Sequence, residues 1–377
     1  MKVLHVMASG ARRGAEVFAS DLIRSLARSG VQQSVALLHG PDPHTLDLDV
    51  EVVVLRSDTR DHDAAKFDLV MRRALRRRLH DVQPDVVQAH GGEALKYLAS
   101  MSSPPVVYRR IGSSVGRALM RGPRRLLFAA QLRAATRVIA VADSVRRETI
   151  EMFRLSPQRV VTIPNAVDPE RLRPLRDRAA VRSELGIAGD AVVVLYLGAF
   201  TWEKDPVAAV RVAGRVMAGD ERVVLVMAGD GPLRPQVEEA RRSLPNRKVD
   251  KVVLLGSRRD IADILGASDV MLSSSRTEGM PANLIEAGLL GLPVVSYALI
   301  GIPEIVADGV TGVLVEPGDA DALGDALTDL VNDPPRRAAL GAAARDRTRS
   351  EFAIDPVASR YLSVYEDVLR LGAPPNA

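Results

Sequence analysis

Short β-branched runs alternate with helix-length amphipathic stretches along this chain, and the alternation runs through twice. In the first half the runs are Lys2–Met7, Ser34–Leu38, Glu51–Leu55, Asp85–His90, Val106–Tyr108, Arg137–Ala142 and Arg159–Ile163. Amphipathic stretches at Ala15–Arg28, Lys66–Val82, Val115–Ala134 and Ser144–Phe153 lie between them. Near-continuous apolar strands separated by helices predict a parallel sheet covered on both faces. "IPNAVDPERLRPLRDR" (Ile163–Arg178), with its prolines and polar residues, interrupts the pattern as a linker. The alternation restarts at Val192–Gly198, Val223–Gly229, Val252–Gly256, Val270–Ser273, Pro293–Ser296 and Gly312–Val315. The expected fold class is α/β: two doubly wound, Rossmann-like parallel-sheet domains at residues 1–168 and 169–355. A final amphipathic helix, 356–371, is expected to pack back on the first. Ligands of such sheets sit beyond the carboxyl ends of the strands, so two facing sheets imply a cleft.

Length agrees with that division, since 377 residues at roughly 150 per domain give two or three domains. Hydrophobic residues at 47% and charged residues at 26% exclude disordered and collagen-like classes. The absence of cysteine excludes disulfide frameworks, thiolate metal sites and a cysteine nucleophile. "MKVLHVMASGARRG" is too short in apolar residues for a signal h-region. Ala287–Pro303 is too short, and too interrupted by glycine and proline, to span a bilayer. A soluble, cytoplasmic protein is therefore expected. Formal charge divides unevenly: residues 1–170 carry 26 Lys+Arg against 18 Asp+Glu (+8), and residues 171–377 carry 25 against 29 (−4). Two domains with different surfaces follow from this.

Two carboxylates, Glu278 and Glu286, stand seven residues apart within "SRTEGMPANLIEAGLLGLPVV". The strand Val270–Ser273 would deliver Glu278 in its C-terminal loop. Pro281, as a first helical residue, would place Glu286 in the second turn of a helix. Amides of Gly279, Met280, Ala282 and Asn283 at that helix start form an anion site favoured by the helix dipole. Carboxylates do not bind phosphate, but they accept hydrogen bonds from sugar or ribose hydroxyls. Phosphate together with hydroxyls suggests a nucleotide sugar. Glu286 read as a solvated helix-face residue fits poorly with neighbours Leu284, Ile285, Leu289 and Leu290, since unpaired glutamates are rarely buried.

These residues resemble the retaining glycosyltransferases of family four, which have the two-domain GT-B fold. The resemblance covers nearly the whole chain. Its most specific element is E-x7-E, Glu278 to Glu286, followed by "GLPVVSYALIGIPEIVADGVTGVLVEPGD" (Gly291–Asp319). "VLYLGAFTWEKDP" (Val194–Pro206) looks like the family's glycine-strand-lysine segment, "VVTIPNAVDPERLRP" like its domain linker, and "MAGDGPLRPQVEEA" like its second strand and turn. The resemblance implies that Lys204 pairs with the donor diphosphate and Glu286 accepts from the ribose. Glu278, with Gly279, Met280, Pro281, Ala282 and Asn283, would hold the transferred sugar. Gly14 would bring amides to the phosphate from the other domain. His90, ending "DVVQAH", matches a histidine at the sugar-facing end of an N-domain strand, and the loop with Arg258 would lie at the nucleobase. Glu278, His90 and Lys204 are the candidate catalytic residues.

Three positions depart from the family pattern. Ala199 stands where members often carry arginine, which leaves the diphosphate charge to Lys204 and an arginine from elsewhere, such as Arg12 or Arg13. Arg13 replaces a glycine in "SGARRGAE", and Ile300 occupies one position of a common Gly-Gly pair. Each singled-out residue also has an ordinary structural reading: a solvated loop lysine for Lys204, a satisfied core histidine for His90, an easy turn for Gly14. Gly10-x3-Gly14 is not the dinucleotide fingerprint, which counts against a dehydrogenase. Asp-x-Asp at Asp47/Asp49, Asp61/Asp63 and Asp319/Asp321 follows no strong buried strand, so no essential metal is expected. The arginine-rich segment 108–137 reads equally as a solvated face or as a basic amphipathic helix for an anionic bilayer and a lipid-linked acceptor. With aromatics at 3% and no recognition module, nucleic acid binding is disfavoured.

The expected activity is transfer of a sugar, with retention, from a nucleotide-diphosphate sugar to an acceptor hydroxyl. UDP-sugars are favoured over GDP-mannose, and the acceptor would be a lipid-linked glycan or a small molecule held mainly by the N-terminal domain. The donor would be a co-substrate, with no cofactor. An epimerase of the same architecture and a non-catalytic nucleotide-sugar-binding protein are the alternatives.

Overall fold

A computed structural model describes residues 1–10, 14–40, 48–56, 67–101, 104–112 and 122–372. The chain divides into two compact units, Met1–Ala166 with Ile354–Ala377, and Val167–Ala353.

The first unit contains β1 (Lys2–Met7), β2 (Gln32–Leu37), β3 (Glu51–Val54), β4 (Val86–His90), β5 (Val106–Arg110), β6 (Arg137–Ala140) and β7 (Val160–Thr162). They form one all-parallel sheet in the order β3-β2-β1-β4-β5-β6-β7. Every residue of β4 and β5 is buried, as expected when helices cover both faces and no side of the strand meets water. The C-terminal helix Ile354–Gly372 belongs to this unit. Tyr361 packs its ring 5.8 Å from that of Phe18, and Tyr365 Oη donates to Gln88 Oε1 at 2.9 Å, so the helix is fastened to strand β4 by a buried polar contact.

The second unit contains β8 (Val192–Leu197), β9 (Val223–Ala228), β10 (Val252–Gly256), β11 (Val270–Ser273), β12 (Val294–Tyr297) and β13 (Gly312–Val315). Their order is β10-β9-β8-β11-β12-β13, again all parallel. One core cluster joins Val194, Tyr196, Leu225, Val270 and Val295 of the sheet to Val210, Leu323 and Leu327 of the covering helices. The segment expected as a linker is packed rather than loose. Val167 pairs with Ala353, Leu172 is buried, and Arg176 donates to Asp263 Oδ2 at 2.9 Å, so residues 167–176 lie on the second unit.

In each unit the strand order steps one way and then reverses, between β1 and β4 and between β8 and β11. At such a switch point the loops leaving the two neighbouring strands diverge and open a crevice at the carboxyl edge of the sheet.

Candidate active site

The second unit places its candidate residues at that switch point. Lys204 lies in the loop after β8, and Glu278 in the loop after β11. Lys204 Nζ donates to Glu278 Oε1 at 2.5 Å, and Ser275 Oγ donates to the same oxygen at 2.7 Å. Arg276 Nε donates to Asp205 Oδ2 at 2.7 Å, the Arg276 amide to Glu203 O at 2.8 Å, and Ser274 Oγ to Asp205 O at 2.8 Å. The Glu278 side chain is only 9% exposed, so its charge needs compensation, and Lys204 supplies it. An ammonium can donate to a diphosphate and a carboxylate can accept from hydroxyls. Here each satisfies the other. Ser275, Arg276 and Asp205 were not among the expected site residues. Their signal in the sequence is position alone, in loops that directly follow buried strands.

Glu286 sits in the second turn of the helix Ala282–Leu289, and its Oε1 accepts from Arg171 Nη2 at 3.0 Å. This partner comes from the linker segment, 115 residues away, and no local spacing reveals it. The helix starts one residue later than expected: Pro281 is its N-cap, with φ −72°, and no side chain caps the first turn. The amides of Ala282 and Asn283 therefore have no partner within the helix. Asn283 Nδ2 donates to Leu197 O at 2.6 Å and ties the helix start to the end of β8. Gly279 and Met280 are buried as they lead into it. Arg258 is already engaged: its guanidinium donates to Asp260 at 2.7 and 2.8 Å, and the side-chain hydrogen bond to Asp260 raises its pKa.

In the first unit Gly14 opens the helix Gly14–Arg28 after β1, and His90 ends β4, so this pair too flanks a switch point. A Cβ built at Gly14 would meet nothing within 4 Å among the described residues. Packing against those residues does not require glycine there. Gly14→Ala is therefore expected to leave thermal stability unchanged or raised by up to about 1 kcal/mol. It should weaken nucleotide binding if backbone amides approach phosphate at this position. A clear fall in unfolding temperature would show that Gly14 serves the fold instead. His90 is buried, with Nε2 3.0 Å from His5 Nδ1.

Comparison with known proteins assigns these domains. Residues 12–171 match the model described as Glycosyltransferase Family 4, and residues 177–347 match Glycosyl transferases group 1. The chain has the GT-B fold and is built of glycosyltransferase domains. It is 29% identical over 233 residues to N-acetyl-alpha-D-glucosaminyl L-malate synthase of Bacillus anthracis, covering 62% of this chain and 60% of that protein. It is 32% identical over 249 residues to D-inositol 3-phosphate glycosyltransferase of Kineococcus radiotolerans, covering 62% and 57%. The match thus spans about three fifths of the length of these relatives. Among solved structures, Anabaena HepE in complex with UDP-glucose superposes with a TM-score of 0.81 at 22% identity, covering 97% of this chain and all of that one.

Within these two domains the departures acquire structural detail. Ala199 is exposed and supplies no charge, while Arg12 and Arg13 lie outside the described residues. In the changed Gly-Gly pair, the close approach falls on the glycine that is kept. Gly301 has φ +80°, and a Cβ there would sit 1.4 Å from the carbonyl oxygen of Gly279, whereas Ile300 is half-buried. Of the Asp-x-Asp pairs, Asp47, Asp61 and Asp63 lie outside the described residues. Asp319 caps the helix Ala320–Asn332, and Asp321 pairs with Arg215. In the basic segment, residues 113–121 are likewise outside. Arg125 donates to Met152 O and Arg133 to Phe153 O, which ties both to the end of the helix Asp143–Phe153, while Leu126 and Leu127 are exposed. Among the described residues, no helix is long and apolar enough to cross a membrane.

Burial pushes the His5 ring from 6.5 down to about 4, against a raising contribution from its Gln33 hydrogen bond. His90 moves the same way through burial and the charges of His5 and Arg109. Both rings stay neutral in the fold but take up protons on unfolding below pH 6.5. The stability they confer is complete above that pH and falls as pH drops toward 4. Unfolding measured from pH 7 to pH 5 is expected to lose about 2 kcal/mol through His5 alone. Depressed aspartates act only at lower pH, so constant stability across this interval would contradict the burial of neutral histidines.

Proposed function

We propose that this protein transfers a sugar from a nucleotide-diphosphate sugar, with UDP-sugars favoured, to an acceptor hydroxyl, with retention of configuration as the family resemblance implies. The observation that carries this reading is the pairing of Lys204 with Glu278 at the switch point of the second unit. In the reaction a diphosphate departs while positive charge builds on the sugar ring. Lys204 and the first-turn amides of Ala282 and Asn283 would stabilise the departing charge, the electrostatic contribution that usually dominates. Glu278 and Glu286 would accept from sugar and ribose hydroxyls. Donor binding would exchange the Lys204–Glu278 contact for two contacts with ligand, from Lys204 to the diphosphate and from a sugar hydroxyl to Glu278.

The acceptor is assigned to the first unit, whose residues carry the positive charge excess. The names of the two relatives specify an L-malate and an inositol phosphate, which supports a small, hydroxylated, anionic acceptor here. The test is release of nucleoside diphosphate from UDP-glucose, UDP-N-acetylglucosamine and GDP-mannose, with and without L-malate or inositol phosphate. Acceptor-dependent release with formation of a glycoside supports transfer. Conversion of the donor sugar without release would indicate an epimerase, and binding without turnover a non-catalytic protein.

A further inference from the structure

Two residues behind His90 fix which of its nitrogens carries the proton. The carbonyl of Ile23 can only accept, so the Gln33 side-chain nitrogen 2.9 Å from it is the donor, and the amide orientation is settled. Gln33 Oε1 is thereby turned to His5 Nε2 at 3.0 Å. An amide oxygen only accepts, so His5 Nε2 carries hydrogen. A neutral His5 then presents a bare lone pair at Nδ1, 3.0 Å from His90 Nε2, and the proton in that contact must belong to His90. The reverse order would set the lone pair of His5 Nε2 against that of the Gln33 oxygen. A neutral His90 protonated at Nε2 keeps Nδ1 as an acceptor. That atom is buried and has no protein partner among the described residues.

We propose that Gln33 and His5 are positioning residues that hold His90 in its Nε2–H form, so that His90 Nδ1 accepts a hydrogen bond from a ligand hydroxyl and turns away an anionic oxygen. Burial supports this by keeping both rings neutral at physiological pH. The ligand half of the proposal rests on the glycosyltransferase reading, whereas the proton assignment does not. A buried acceptor left without a donor is costly, and a sugar or polyol hydroxyl satisfies it where an unprotonated phosphate oxygen cannot.

The test is nitrogen-15 NMR of the histidine rings in the full-length protein at neutral pH. The expected spectrum shows His5 and His90 each protonated at Nε2 and bare at Nδ1. A proton on His90 Nδ1 overturns the assignment without any variant being made. In Gln33→Leu, His90 should become a mixture of the two ring forms. An unchanged ring in Gln33→Leu overturns the role of Gln33. Saturating UDP-glucose or GDP-mannose should move the His90 Nδ1 resonance, and UDP, which lacks the transferred sugar, should not. An equal response to UDP, or a response to none of these, overturns the contact with a sugar hydroxyl. If the ring forms are as expected but no sugar is transferred to any acceptor, the glycosyltransferase reading fails while the relay stands. Given transfer, Gln33→Leu should lower kcat/KM about tenfold, in the range that removing a hydrogen-bonded partner behind a site ligand produces.

Discussion

Lys204→Ala is expected to lower kcat/KM for sugar transfer by roughly a hundred- to a thousand-fold, the loss found when one preorganised donor is removed from a developing negative charge. The expectation is sharpened by Ala199, which leaves Lys204 as the cation of its loop, and by the 2.5 Å contact that holds the ammonium at the carboxyl edge of the sheet. The same substitution strips Glu278 of its countercharge and leaves it with Ser275 Oγ. Because that carboxylate is nearly buried, the fold should lose about 1–3 kcal/mol. Combining Lys204→Ala with Glu278→Gln removes the uncompensated charge and should recover most of the stability but none of the activity. Initial rates and thermal unfolding on the same preparations separate the two effects. Activity within threefold of the parent in Lys204→Ala would remove the lysine from the donor site.

Gly301→Ala should destabilise the second unit by roughly 2–4 kcal/mol, which for a domain of this size is a fall of about 5–15 °C in Tm. Gly301 occupies left-handed backbone at φ +80°, and its would-be methyl group overlaps the Gly279 carbonyl at 1.4 Å. Relief requires moving Gly279, the residue after Glu278, so donor binding should weaken along with stability. Ile300→Gly is the control. The backbone there is not left-handed, so the change should cost only the half-buried side chain and the added freedom of glycine, less than the loss at 301. Equal effects at 300 and 301 would show that the contact with Gly279 does not govern this turn.

The periodic features of the sequence carried most of the fold. Runs such as Val192–Leu197 and Val270–Leu272 are apolar throughout, and only a strand covered on both faces makes use of such a run. Element ends were less legible, because Pro281 can open a helix as its first residue or stand just before it. The site was legible where a residue's role follows from its place after a strand, as for Lys204 and Glu278. It was illegible where the partner is distant in sequence. Arg171 reaches Glu286 across 115 residues, and His5 reaches His90 because β1 and β4 are neighbours despite the two strands between them in the chain. Strand order determines those contacts, and spacing along the chain does not encode it. The glycine pair shows a different limit, since only backbone geometry reveals that 301, and not 300, carries the steric demand.

The most direct measurement is calorimetric titration of the full chain with UDP, UDP-glucose, GDP-mannose and ADP-glucose, in parallel with Lys204→Ala and Glu286→Ala. Binding of one nucleotide class to the parent, weakened at least tenfold in both variants, is the expected result and would establish the loops after β8 and β11 as the donor site. No binding by any of the four, or binding that survives both substitutions, would contradict it.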